Sequence, residues 1–200
     1  MIIAAVVSLI LGIFCGQFIF TPNTISLFSN ISEYALMLLM FCVGISIGEN
    51  KLIFRKMREY NIRILVIPAG IVFGSMAGGV VSSMLLGMPL RESLCISSGL
   101  GWYSLSGVLL TELISAEIGT IAFLSNIFRE ILTFICIPVI AKYLNGYTAI
   151  APAGATSSDT ALPVVIKYTN EEVTMMSVIN GIICTALIPV LINTLYAIFS

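Results

Sequence analysis

Apolar residues run through this chain in long blocks separated by short polar stretches. They show neither the stripe of a surface helix nor the two-residue alternation of a half-buried strand. A hydrocarbon layer about 30 Å thick needs roughly 20 apolar residues per helical crossing. Seven blocks reach that length or come close to it: Met1–Phe20, Ile31–Gly48, Ile62–Leu86, Leu90–Leu110, Gly119–Tyr143, Asn145–Tyr168 and Val173–Phe199. The pattern predicts an all-α integral membrane protein, a polytopic helical bundle forming one transmembrane domain over residues 1–200. The lack of alternation excludes an outer-membrane barrel.

Composition sharpens this. With 58% hydrophobic and 10% charged residues, and a mean hydropathy of +1.09, the chain lies far from an ordinary soluble domain. Its net charge of -1 says nothing about partners, and no basic run is long enough for nucleic acid. Cys15, Cys42, Cys95, Cys136 and Cys184 each sit inside an apolar segment without metal or disulfide spacing. They read as small core residues, so no metal and no cofactor is implied. The opening "MIIAAVVSLILGIFCGQF" lacks a positive n-region and an A-x-A site, and reads as a retained helix. Lys51, Arg55, Lys56, Arg58 and Arg63 fall between the second and third segments. By the positive-inside rule that loop is cytoplasmic, which puts the N-terminus inside and the C-terminus outside, with Lys142 the exception.

Polar residues then single out particular segments. Gly70, Gly74 and Gly78 in the third predict close helix packing. Gly12 and Gly16 in the first mark either the same device or a break. The fourth contains "SSGLGWYSLSG" (Ser97–Gly107), which sets Trp102, Tyr103 and Ser104 near mid-segment. This is either a polar-tolerant helix interface or a cavity wall whose aromatic faces can meet a cation. The sixth contains "APAGATSSDTALP" (Ala151–Pro163), where Pro152, Gly154 and Pro163 argue against a continuous helix. Thr156, Ser157 and Ser158 are capping types, so a second half-helix could begin near Ser157 and attract an anion. Asp159, the only aspartate, shares that turn and is either an ordinary cap or a cation partner.

In the fifth segment Arg129 and Glu130 stand side by side, far from either end. Facing lipid, each would cost roughly 2.5–3.5 kcal/mol, and neighbours point about 100° apart on a helix, so they do not simply neutralise each other. One turn away lie Ser125, Asn126 and Thr133, which complete a polar face able to line an aqueous cavity. A buried ion pair with another helix is the plainer alternative. An intramembrane protease fits poorly, since the chain has no histidine to serve as base and only one aspartate. No enzyme is expected. A channel, a carrier for other cationic amino acids and a non-transporting structural subunit stay open.

"SGLGWYSLSGVLLTE", "FREI", "GATSSDTALPV" and "LLMFCVGISIGENK" (Leu38–Lys51) together resemble the LysO-type lysine exporters of bacterial inner membranes, and the likeness extends along the whole chain. The resemblance implies secondary active export of L-lysine and toxic analogues such as thialysine, by proton antiport. Glu130 and Asp159 would hold the cationic groups until protons from outside neutralise them. Arg129 or the backbone near Ser157 would receive the substrate carboxylate, and Trp102 and Tyr103 would cover the side-chain ammonium. Two departures stand out: Ser125-Asn126 where the family often has Asn-Asp, and Ser158 where Met often precedes the aspartate. Single-chain members carry roughly three further helices in front, so this chain resembles the large part of a split exporter with a small three-helix membrane partner. A homo-oligomer stays open. Three plus seven helices resemble, by analogy, the ten-helix inverted-repeat transporters with one or two discontinuous helices, the first and sixth segments then being the broken pair.

Overall fold

In a computed structural model of the chain, residues 2–20 and 65–199 are described continuously, with scattered positions between 24 and 45. The expected second segment is represented only by those scattered positions, which are helical, and the basic loop 51–63 lies outside the described residues. The chain divides into two compact units, Met1–Val43 and Gly44–Ser200. In the first, α1 (Ile2–Phe18) runs unbroken through Gly12 and Gly16.

The second unit is all helical among its described residues: α2 (Val66–Leu86), α3 (Leu90–Ser97), α4 (Tyr103–Leu113), α5 (Ala116–Tyr143), α6 (Gly146–Ala149), a 3-10 turn (Gly154–Ser158), α7 (Leu162–Tyr168) and α8 (Glu171–Ile198). Of these, α2, α5 and α8 are long and apolar enough to cross a membrane. Their outer faces are greasy: Leu85 is 79% and Phe73 76% exposed on α2. Local chemistry sets their ends. Ser115 and Asn170 cap α5 and α8 by accepting from Ile118 N (3.3 Å) and Val173 N (2.9 Å). Gly87, at φ 65°, closes α2 in the left-handed conformation.

The broken pair differs from the one expected. The fourth and sixth segments are interrupted, while the first is continuous. In the fourth, Leu100 (φ 46°) and Gly101 (φ 99°) are both left-handed, which ends α3 and re-aims the chain into α4. Gly12 and Gly16 sit in a helix whose hydrogen bonds need no such residue, so small size alone did not signal a break. In the sixth, the half-helix expected near Ser157 begins instead at Leu162, with Pro163 in its first turn and no side-chain cap. Ser157 is held inside the 3-10 turn, which leaves no helix N-terminus there for an anion.

One buried cluster fastens the sixth segment to its neighbours. Ile137 of α5, Ile150 and Ala153 between α6 and the 3-10 turn, Val165 of α7, and Val173, Met176 and Ile179 of α8 pack together. Nothing among the described residues lies within 4 Å of a Cβ placed on Gly70, Gly74 or Gly78. Close packing falls on Gly79 instead, whose carbonyl accepts from Ser93 Oγ at 2.7 Å and brings α3 against α2.

Gly154 provides the test of this arrangement. It has φ +57°, and a Cβ there would run into the Leu100 carbonyl. Left-handed strain alone costs about 1–3 kcal/mol outside glycine. Gly154→Ala is therefore expected to lower stability by about 2 kcal/mol or more, measured as thermal unfolding in detergent, whereas Gly74→Ala, facing open space, should be close to neutral.

Candidate functional site

The two interruptions meet. Ala155 N donates to Leu100 O at 2.9 Å, so the backbone of one break satisfies the backbone of the other. Inside a membrane this is required, because an unpaired N–H or C=O has no water to turn to. Segments this irregular survive at such depth only when neighbours take up their polar groups.

From one side α5 supplies those neighbours. Asn126, 3% exposed, accepts from Gly101 N at 2.7 Å through Oδ1. Its Nδ2 donates to Ser106 Oγ (3.2 Å) and Ala122 O (2.9 Å). The amide is fully used in holding the first break. Arg129 holds the second: Nε donates to Pro152 O at 3.1 Å and Nη1 to Ser75 Oγ at 3.0 Å. Its partners are neutral, and it ties α5, α2 and the sixth segment together.

From the other side α8 clamps the 3-10 turn. Ser157 Oγ donates to Ser177 O (2.9 Å) while Ser177 Oγ donates to Ser157 O (2.8 Å), a reciprocal pair. Asn180 Nδ2 reaches Gly154 O (3.1 Å) and Ser157 Oγ (2.9 Å). A Cβ on Gly181 would collide with Ser158, so glycine lets α8 lie directly on the turn. Sequence reasoning passed over Ser177, Asn180 and Gly181. Their spacing, which puts three small or polar residues on one helix face, was the signal available.

The polar face expected on α5 divides in two. Ser125, Arg129 and Thr133 line a cavity of about 870 Å³ with Gly70, Gly74 and Pro152. Glu130 turns away from it into the protein, while Asn126, almost fully buried, shares the wall of a second cavity with Ser125 and Arg129. Glu130 is 1% exposed, and neither carboxylate oxygen has a hydrogen-bond partner among the described residues. Its neighbours are Thr160 and Asp159. Asp159 ends the 3-10 turn with its side chain exposed, and Oδ1 accepts the Thr160 N–H.

The remaining candidates surround this point. Thr156 Oγ1 bonds back to Ala153 O (2.9 Å) and Ser158 Oγ to Ala155 O (3.3 Å), both local. Trp102 opens α4 and is half-buried. Tyr103 packs edge-on against Phe123 with ring centroids 5.4 Å apart. Ser104 is exposed. Asn126, Arg129 and Ser157 are thus fixed in the scaffold, while Glu130 and Asp159 keep charge that no described side chain neutralises.

A multi-pass helical membrane protein with its polar groups gathered at two crossed, discontinuous segments is the class this geometry defines. The family described as "Lysine exporter LysO" matches residues 6–196, and the chain belongs to that family. The lysine exporter LysO of Escherichia coli K12 is 35% identical over 161 residues, 80% of this chain and 53% of that protein. A putative lysine exporter of Haemophilus influenzae is 35% identical over 189 residues, 94% of this chain and 93% of that protein. The match thus spans about half the length of the E. coli relative. No solved structure matches.

If Asn126 is a scaffold tie, Asn126→Leu keeps its volume but leaves the Gly101 N–H buried and unpaired. Such an orphan costs about 1–3 kcal/mol. Unfolding in detergent should show a loss of that size, and Asn126→Asp, which keeps the acceptor at Oδ1, should recover part of it.

Proposed function

We propose that the chain exports L-lysine and toxic analogues such as thialysine across the bacterial inner membrane by proton antiport, together with a small membrane partner. The observation that carries this reading is Glu130: a carboxylate 1% exposed, with both oxygens unpartnered, beside the crossing of two broken segments. A buried carboxylate left unpaired is strongly unfavourable unless something transiently supplies the missing partner. A cation or a proton can supply it. Lysine carries net +1, so Glu130 and Asp159 hold it when ionised and release it when protons arrive from outside.

The meeting of two discontinuous segments supports a substrate site at that point, although the broken pair is the fourth and sixth segments and not the first and sixth that an inverted repeat implies. In this scheme Arg129, Asn126 and Ser157 are positioning residues and Trp102, Tyr103 and Ser104 form the approach. The cytoplasmic N-terminus rests on the basic residues Lys51 to Arg63.

Glu130→Gln and Asp159→Asn are each expected to abolish resistance to thialysine at unchanged protein level in the membrane, scored by growth and immunoblot. Wild-type resistance in both variants would refute the coupling scheme.

The partner is proposed to supply what the E. coli relative carries outside the matched half of its length. Expressed alone, it should give little export; a co-expressed small three-helix membrane protein, or the front part of the E. coli exporter, should restore it. Full export by the purified chain in liposomes would rule the partner out.

A further inference from the structure

Three buried acceptor atoms without a hydrogen-bond partner are found in one place: both oxygens of Glu130 and the hydroxyl of Thr160. Buried polar atoms are almost always paired, so orphans gathered at one point call for a specific explanation. The two side chains are within reach of each other, yet the hydroxyl–carboxylate hydrogen bond is not closed. They come from different elements, Glu130 from the middle of α5 and Thr160 from the link between the 3-10 turn and α7.

Resting on the export reading above, we propose that Thr160 completes a three-acceptor seat for the side-chain ammonium of lysine. A primary ammonium has three N–H donors, one for each orphan. A proton on Glu130 would supply only one. A guanidinium presents its donors in a rigid planar fork, which suits two carboxylate oxygens and leaves the hydroxyl unmatched. The α-ammonium is a poorer occupant than the ε-ammonium, because it would bring the substrate carboxylate against Glu130 and the neighbouring Asp159. The ε-ammonium arrives on an apolar stem and carries no anion with it. Thr160 is thereby a specificity-determining residue: it makes the seat count donors as well as charge.

The test uses vesicles from cells in which the wild-type chain, co-expressed with the partner proposed above, confers lysine export, so absence of wild-type transport would defeat the export reading and not this inference. Inhibition of labelled L-lysine transport is measured with lysines bearing one, two or three methyl groups on Nε, which keep the charge while removing donors. Wild type should lose inhibition stepwise along the series. Thr160→Val should raise the half-saturation concentration for lysine about tenfold, as for a lost hydrogen bond to a charged group, and should flatten the first step of the methyl series. Thr160→Ser should retain wild-type behaviour. Unchanged half-saturation and an unchanged methyl series in Thr160→Val would overturn the proposal. Should that variant fail to reach the membrane, equal inhibition of the wild type by lysine and trimethyl-lysine would overturn it alone.

Discussion

The hydrogen bond from Ala155 N to Leu100 O, 2.9 Å long, is the contact on which the rest of the second unit depends. It closes the backbone of one interrupted helix with that of another, where both residues are buried from water. Everything nearby follows from that need. Leu100 and Gly101 adopt left-handed conformations so that the Leu100 carbonyl can point across. Gly154 lacks a side chain because a Cβ would occupy the space the carbonyl enters. Arg129 and Asn126 then neutralise what the crossing leaves open, one residue for each break.

The polar side chains of one helix differ in what they bond to. On α5, side chains that bond to backbone, Asn126 and Arg129, fix the crossing. Glu130, next to them, has no hydrogen-bond partner among the described residues. A carboxylate held by its own scaffold would be slow to exchange partners; one left free beside a rigid crossing can take and release them without moving the backbone. Clamping by Ser177 and Asn180 from α8 serves the same end, since it immobilises the 3-10 turn while leaving Thr160, just beyond it, uncommitted.

Much of this was legible in the sequence. The apolar blocks gave the helices, and Pro152, Gly154 and Pro163 gave the interruption of the sixth segment, because proline and glycine act locally. The cost of charge in hydrocarbon marked Arg129 and Glu130. Less legible was the break in the fourth segment, where "SSGLG" contains no proline and its left-handed turn depends on the Ala155 amide and Asn126 from elsewhere in the chain. Among the described residues the close approach on α2 falls on Gly79, because which glycine meets a given neighbour depends on helix orientation as well as spacing. Ser177 and Asn180 were missed for a related reason: polar residues in an apolar helix reveal their role only when their partners are known.

Arg129 and Glu130 also show why adjacent charges of opposite sign need not be an ion pair. About 100° separates successive side chains on a helix, and here that angle sends the two into different surroundings. The guanidinium has many donors and can be satisfied by neutral acceptors, so it suits a permanent structural post between Pro152 and Ser75. A carboxylate has only acceptors, and the backbone donors that might have satisfied it are spent in the helix and the crossing. The arginine is thus satisfied within the scaffold, while the glutamate has no hydrogen-bond partner among the described residues.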